Sequence, residues 1–221
     1  MTKTIFFDLD DTLITHTKAQ NKSLFLLKEI HFSSVPQKEF NKIWSEKTKI
    51  YWKLFTDKKL SFVEQRNQRT KTIWKHFGKN IDIEAAEKIG AEYLRLYESN
   101  WRIFKGVKKY LKLLKEKNIP MGIISNGNFE QQIKKITLTN AIKFFEPNLI
   151  IVSESVGAAK PDLEIFKTAQ EMAKKEKSDI IYFGNDQIQD IEPAKKMGWQ
   201  TILVNSPMDI TKFIKRNFNE I

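Results

Sequence analysis

The sequence predicts an α/β fold: a parallel sheet covered by helices, interrupted after its first strand by a long helical insert. Three observations carry this. A short apolar run, Thr4-Ile5-Phe6-Phe7, ends abruptly in the acids of Asp8-Leu9-Asp10-Asp11. From residue 105 onward, β-favouring runs alternate with helical patterns, as strands joined by crossover helices do. Between these regions, residues 17–100 carry helical periodicity and no strand pattern.

The elements follow in order. Residues 4–7 read as a buried strand, and the carboxylates after them mark its carboxyl end, because a buried strand cannot continue through unpaired acids. In the insert, stretches 38–55, 62–77 and 83–98 place apolar residues at helical spacing, among them Phe40, Ile43, Trp44, Tyr51, Leu54, Tyr93, Leu94 and Tyr97. Breaks at 33–36, 56–60 and 78–82 divide it into about four helices. Trp44, Tyr51, Trp52, Phe55 and Trp74 read mostly as its core. Then 106–117 is helical, and 120–125 is a strand running into the turn signal Asn126-Gly127. Residues 129–138 are helical and 149–152 a short strand. A helix over 161–175 starts at Pro161, where the missing N–H costs nothing. Strand 180–183 enters Gly184, helix 188–197 is closed by Gly198, and strand 201–204 precedes a last helix over 210–217. The predicted domains are an α/β core of 1–14 and 105–221 and a helical insert of 15–104.

Composition narrows the function classes. Of 221 residues, 41% are hydrophobic, which supplies a core and excludes a disordered chain. The absence of cysteine excludes a disulfide scaffold, a thiol nucleophile and thiolate zinc sites. The first apolar run reaches acids after three residues, unlike a signal peptide, and no run approaches the roughly 18–20 residues that span a membrane. A soluble cytoplasmic protein, monomeric or weakly dimeric, is the expectation. The net charge is +11; residues 14–104 hold 18 Lys/Arg against 10 Asp/Glu, the rest 20 against 17. Nucleic-acid binding, attraction of a small anionic substrate, and a solvated lysine-rich surface each explain such an excess. Scattered lysines without an aromatic platform rank nucleic acid below substrate steering.

In parallel sheets the ligand site lies beyond the carboxyl ends of the strands. Those ends carry Asp8, Asp10, Asp11 and Thr12, then Ser125 and Asn126, then Gly184-Asn185-Asp186 with Asp190; a loop delivers Lys160 just before Pro161. Carboxylates packed together repel and raise one another's pKa values. A hard divalent cation such as Mg²⁺ removes the conflict, and a lysine and a hydroxyl beside it hold an anion. The assembly suits phosphoryl transfer, with an Asp able to act as nucleophile.

These four segments, Asp8-Leu9-Asp10-Asp11-Thr12, Ser125-Asn126-Gly127, Lys160-Pro161 and Gly184-Asn185-Asp186 with Asp190, resemble in order and spacing the four motifs of the haloacid dehalogenase (HAD) superfamily. The resemblance covers the whole core and implies a Rossmann-like, HAD-like core. The insert of roughly 90 residues is similar to the helical cap that some members carry between motifs one and two. It implies a Mg²⁺-dependent phosphatase that hydrolyses a small phosphorylated metabolite through an aspartyl-phosphate. Asp8 would be the nucleophile and Asp10 the acid that protonates the leaving group and then activates water. Ser125 would bind phosphoryl oxygens, with Asn126 beside it, and Lys160 would neutralise charge. Mg²⁺ would be held by the Asp8 side chain, the Asp10 backbone carbonyl and the fourth motif, supported by Asp190. That motif departs from the common Gly-Asp pattern, so both Asn185 and Asp186 stand as metal ligands, with Asp186 favoured as the anion. Asp10 argues against a dehalogenase or phosphonatase; a sugar-phosphate mutase stays open. A basic nucleic-acid- or protein-binding module on an inactive core is the rival from another class, and retention of Asp8, Asp10, Ser125 and Lys160 counts against it. Arg66 and Arg69 either bind a second anionic group of the substrate or lie on a solvated helix face. Asp11 and Thr12 read as loop residues, and His16, His31 and His76 are too scattered for a metal site.

Overall fold

A computed structural model describes residues 3–218. The elements run β1 (Thr4–Phe7), α1 (His16–His31), α2 (Gln37–Thr56), α3 (Phe62–His76), α4 (Ile83–Ser99), α5 (Val107–Glu116), β2 (Met121–Ser125) and α6 (Phe129–Leu138). There follow β3 (Ile150–Val152), the single turn α7 (Ser153–Val156), α8 (Leu163–Ala173), β4 (Ile180–Gly184), α9 (Glu192–Lys196), β5 (Gln200–Leu203) and α10 (Pro207–Phe218). The chain divides into two compact units, one formed by its ends up to Thr17 and from Trp101, the other by Lys18–Asn100.

The first unit is built on a five-stranded sheet in the order β3-β2-β1-β4-β5, and every pairing is parallel. β1, β2 and β4 are buried along their whole length, which is why they read as unbroken apolar runs. Phe6 stacks on Trp199 at 5.9 Å, and Phe7 on Phe183 at 5.0 Å. Gly122 sits where Phe6 crosses β2: a Cβ there would meet the Phe6 ring and stand 2.6 Å from the Leu149 carbonyl oxygen. The register places the carboxyl ends of β1, β2 and β4 together, with Phe7 beside Ile123 and Phe183.

The helical unit is held by aromatic packing. Trp44 and Tyr93 lie 4.7 Å apart between centroids, Phe32 and Trp74 5.1 Å. Helix starts are marked by side chains: Ser61 and Glu64 form a reciprocal capping box on α3, and Asp82 accepts the Ala85 N–H on α4. Arg69 is not on a solvated face. It is 8% exposed, its guanidinium lies 4.8 Å from the Trp44 ring centre, and burial pushes its pKa down to about 10. Arg66 is half-buried, its guanidinium 5.8 Å from the Phe62 ring centre. Among the described residues, no helix is long and apolar enough to cross a membrane.

Three helices depart from the sequence reading, α10 among them by starting at Pro207 rather than 210. The helix expected over 161–175 starts at Leu163, because the Asp162 side chain accepts the Glu164 N–H and caps it there; Pro161 precedes it. The helix expected over 188–197 opens as a π-turn, Gln187–Ile191, before α9. Asp186 caps the turn through the Ile188 and Gln189 N–H groups. Pro193 has no N–H to continue a regular ladder, and the Ile191 N–H reaches back to the Asp186 carbonyl.

The close approach at Gly122 gives a test of the sheet. Gly122→Ala should lower stability by about 2 kcal/mol in urea unfolding, because neither the Phe6 ring nor the Leu149 carbonyl can yield freely. An unchanged unfolding midpoint would show that β2 shifts to admit the methyl group.

Candidate active site

The loop leaving β1 is wound tightly at the strand's end. The Asp8 N–H donates to the Phe183 carbonyl, and the Leu13 and Ile14 N–H groups both return to the Leu9 carbonyl. Asp11 takes a left-handed conformation, φ 59°, and accepts from the Thr17 N–H and hydroxyl near the start of α1. The Thr12 hydroxyl donates to Asn185 Oδ1 at 3.2 Å, bracing the β1 loop against the β4 loop. Neither Asp11 nor Thr12 lines the cavity that follows.

A cavity of about 210 Å³ opens at the strand ends, lined by Asp8, Asp10, Ser125, Asn126, Lys160, Asn185, Asp186, Gln189 and Asp190. Each core residue given a catalytic, binding or metal role from the sequence lines it. Arg66 and Arg69 belong to the helical unit, where their packing is described above.

At its floor the Lys160 ammonium donates to Asp8 Oδ1 at 2.7 Å, Asp190 Oδ1 at 2.6 Å and the Tyr182 hydroxyl at 3.2 Å. Three N–H bonds thus meet three acceptors. Burial opposes the charge on Lys160, but Asp8 and Asp190 outweigh it and raise its pKa. Tyr182 donates to the same Asp190 oxygen at 2.9 Å, and burial with the two carboxylates pushes its pKa well up. The other Asp190 oxygen accepts the Asp186 N–H at 3.0 Å. Gly184 makes room for this carboxylate: a Cβ there would stand 2.6–2.7 Å from its Cγ and Oδ2. Asn126 fixes the lysine's backbone, accepting the Lys160 N–H at 2.8 Å and donating to its carbonyl at 2.9 Å.

Asp8 is buried, and its Oδ2 has no hydrogen-bond partner among the described residues. Burial raises its pKa to about 7 against the pull of Lys160. A buried carboxylate oxygen without a donor calls for a cation or a bound ligand. Asp10 differs. Burial acts to raise its pKa, but Lys135, with His16 and the Gln132 amide, holds it at about 2. The Lys135 ammonium reaches both Asp10 oxygens, at 2.7 and 2.9 Å, and Gln132 Nε2 donates to Oδ2 at 3.2 Å. The same Gln132 nitrogen lies 2.8 Å from Ser125 Oγ and 2.9 Å from the Asn126 carbonyl.

Among the described residues, no group of three or more His, Cys, Asp or Glu side chains is arranged to hold a metal. The cavity offers a mixed set of oxygens instead: the unpartnered Asp8 Oδ2 and the Asn185 and Asp186 side chains that line it. It fits Mg²⁺, which takes one or two carboxylates and completes its shell with other oxygens. Asp186 spends Oδ1 on two backbone N–H groups, and Asn185 Oδ1 accepts from Thr12.

Sequence reasoning missed Gln132, Lys135, Tyr182 and Gln189. For Gln132 and Lys135 a signal existed: they lie on one face of a helix with Ile136, and all three are buried. Tyr182 is hidden inside an apolar strand, and nothing in the spacing of Gln189 marks it.

The profile of the haloacid dehalogenase-like hydrolase family matches residues 5–204. The glyceraldehyde 3-phosphate phosphatase of Methanothermobacter thermautotrophicus is 28% identical over 209 residues, 94% of this chain and 88% of the relative. In structure the chain resembles the HAD-hydrolase YfnB of Bacillus subtilis bound to magnesium, with TM-score 0.70 and 24% identity over 92% of this chain and 87% of that one. It also resembles a 2-haloacid dehalogenase of Pseudomonas syringae, with TM-score 0.66 and 23% identity over 93% and 87%. One fold thus serves different chemistries, and the strand-end residues must separate them. The match of the family profile along nearly the whole α/β unit, with the four strand-end motifs gathered in one cavity, shows that this chain belongs to the haloacid dehalogenase-like hydrolase family.

Proposed function

We propose that this chain is a Mg²⁺-dependent phosphatase that hydrolyses a small phosphorylated metabolite through an aspartyl-phosphate on Asp8. The carrying observation is the contrast at one carboxylate. Asp8 Oδ1 is fixed by Lys160, while Oδ2 is buried in the cavity with no partner among the described residues. The phosphatase relative supports a phosphate ester as substrate, and Asp10, standing in the same cavity, supplies the proton donor that ester cleavage needs.

The chemistry follows from the residues. Asp8 Oδ2 attacks phosphorus while Lys160 holds the other oxygen and offsets charge on the phosphate. Ser125 Oγ, buried and held by Gln132, faces the cavity as a phosphoryl donor. The incoming phosphate adds negative charge beside Asp10 and raises its proton affinity, so Asp10 takes up a proton from solvent as substrate binds and gives it to the departing alcohol oxygen. As the carboxylate it then takes a proton from water, which attacks phosphorus and frees Asp8. Bound Mg²⁺ supplies charge neutralisation and orientation for the phosphate; Asp8, the Asp10 carbonyl and Asp186 or Asn185 would hold it, with Asp190 in support. A substrate contact by Arg66 or Arg69 belongs to the same proposal and rests on their charge alone.

Two measurements test this. Asp8→Asn keeps the shape of the side chain but lacks the attacking anion; phosphate release from a panel of sugar phosphates, nucleotides and phosphorylated acids should fall below about one hundredth of wild type. A variant retaining more than that removes Asp8 as nucleophile. Chelation should silence the enzyme and Mg²⁺ restore it, with Asp186→Ala raising the Mg²⁺ requirement more than Asn185→Ala. Full turnover in chelator would contradict the metal role, and the opposite ranking would move the ligand to Asn185.

A further inference from the structure

Along the chain the lysines outside the insert look scattered, but folding gathers many of them. Helices α5 and α10 pack against each other. Each buries an apolar stripe: Val107, Leu111 and Leu114 on α5, Ile210 and Ile214 on α10. Their other faces are basic. α5 carries Lys108, Lys109, Lys112 and Lys115, and all four are exposed. α10 adds Lys212, Lys215 and Arg216, also exposed. Two acids stand against them. Asp209 is spent at the start of α10, where it accepts the Asn205 and Ser206 N–H groups; Glu116 pairs with Lys112 at 3.5 Å. These two helices therefore hold +5 of the chain's net +11. A groove of about 460 Å³ opens here, lined by Lys109, Tyr110, Lys112, Leu113, Glu116 and Lys215, so cations come from both helices. Tyr110 is half-buried in the lining, with the Lys109 ammonium 5.9 Å from its ring centre.

Like charges gathered on one face repel each other, and the buried stripes close the core without them. A polyanion laid along the groove removes that repulsion. The α5 lysines recur at three- and four-residue steps, roughly 5 Å apart along the helix axis. A single nucleic-acid strand brings one phosphate per nucleotide and bases with open π-faces, which suit a cationic groove that has an aromatic ring in its lining. A lipid surface suits it less. Among the described residues, α5 exposes no large apolar side chain and α10 exposes Met208 in its first turn, whereas membrane-binding helices sink an apolar face into lipid. We propose that the α5–α10 face binds single-stranded nucleic acid, with lysines of both helices on the phosphates and Tyr110 stacked on a base. None of these residues lines the strand-end cavity, so this surface stands apart from the phosphatase reading.

The test is fluorescence anisotropy of a labelled oligouridylate of about 20 nucleotides with the full chain. Wild-type protein should bind it at about 50 mM salt and lose about 50-fold in affinity by about 200 mM, as four phosphate contacts predict. Lys109→Glu, Lys112→Glu and Lys215→Glu combined should weaken binding by at least about 10-fold at the lower salt and flatten the salt dependence. If that variant does not melt like wild type, the milder pair Lys109→Gln and Lys215→Gln carries the comparison. The same charge change in the helical unit, Lys42→Glu, Lys71→Glu and Lys75→Glu combined, should cost no more than about 3-fold. Tyr110→Leu should lose about 5-fold through the missing stack. No binding at the lower salt, salt-independent binding, or equal losses in the two charge variants would overturn the proposal. Vesicles of phosphatidylserine and phosphatidylcholine run alongside; capture by these that exceeds the oligonucleotide's and is lost in the groove variant would assign the face to lipid and overturn it too.

Discussion

Where β1 and β4 end, one ammonium, two carboxylates and a phenol meet out of water. Asp8 and Asp190 could not share that space as bare anions: the Asp190 charge adds to the burial that pushes the Asp8 pKa up. Lys160 makes the arrangement stable by giving a hydrogen to each of its three neighbours. It also leaves an asymmetry. Asp190 spends both oxygens on protein donors, whereas Asp8 spends one and keeps the other open. The two acids are thus set apart by their partners.

Much of the surrounding fold serves to deliver that lysine and those acids. Asn126 grips the Lys160 backbone from the end of β2, so the loop before α8 is tied to the sheet. Gly184 has no side chain because the Asp190 carboxylate occupies the space. The π-turn after β4 brings Asp190 back over the strand, with Asp186 closing its start. α6 brings a second buried ammonium, Lys135, to both oxygens of Asp10. The site therefore holds two acids in opposite electrostatic settings, Asp8 pushed up to about 7 and Asp10 held at about 2.

The fold and the rim of the cavity were legible in the sequence because buried parallel strands are written as apolar runs that stop at polar residues. Asp8, Ser125 and Asn185 stand at or just past such stops. Lys160 was legible only through its place before Pro161. What could not be read is what depends on three-dimensional packing. Lys135 looks like one more surface lysine until α6 is rotated onto the sheet, and Tyr182 looks like core until its hydroxyl meets Asp190. Arg69 shows the same limit in reverse: a solvated helix face was one reading of it, and the structure lays its guanidinium over Trp44. The start of α8 and the π-turn were misjudged because a side-chain cap at Asp162 and the missing N–H of Pro193 outweigh the helical pattern around them.

The proposed consequence of an open oxygen on Asp8 is covalent: in that reading the phosphoryl group rests there before water removes it. Acid quenching during turnover, followed by mass analysis of the peptides, reads this directly. A phosphoryl group on the peptide containing Asp8, formed and lost at rates that match turnover, is the expected result. Turnover that proceeds with no phosphoryl group on Asp8 at any time in the burst would contradict nucleophilic catalysis by this residue.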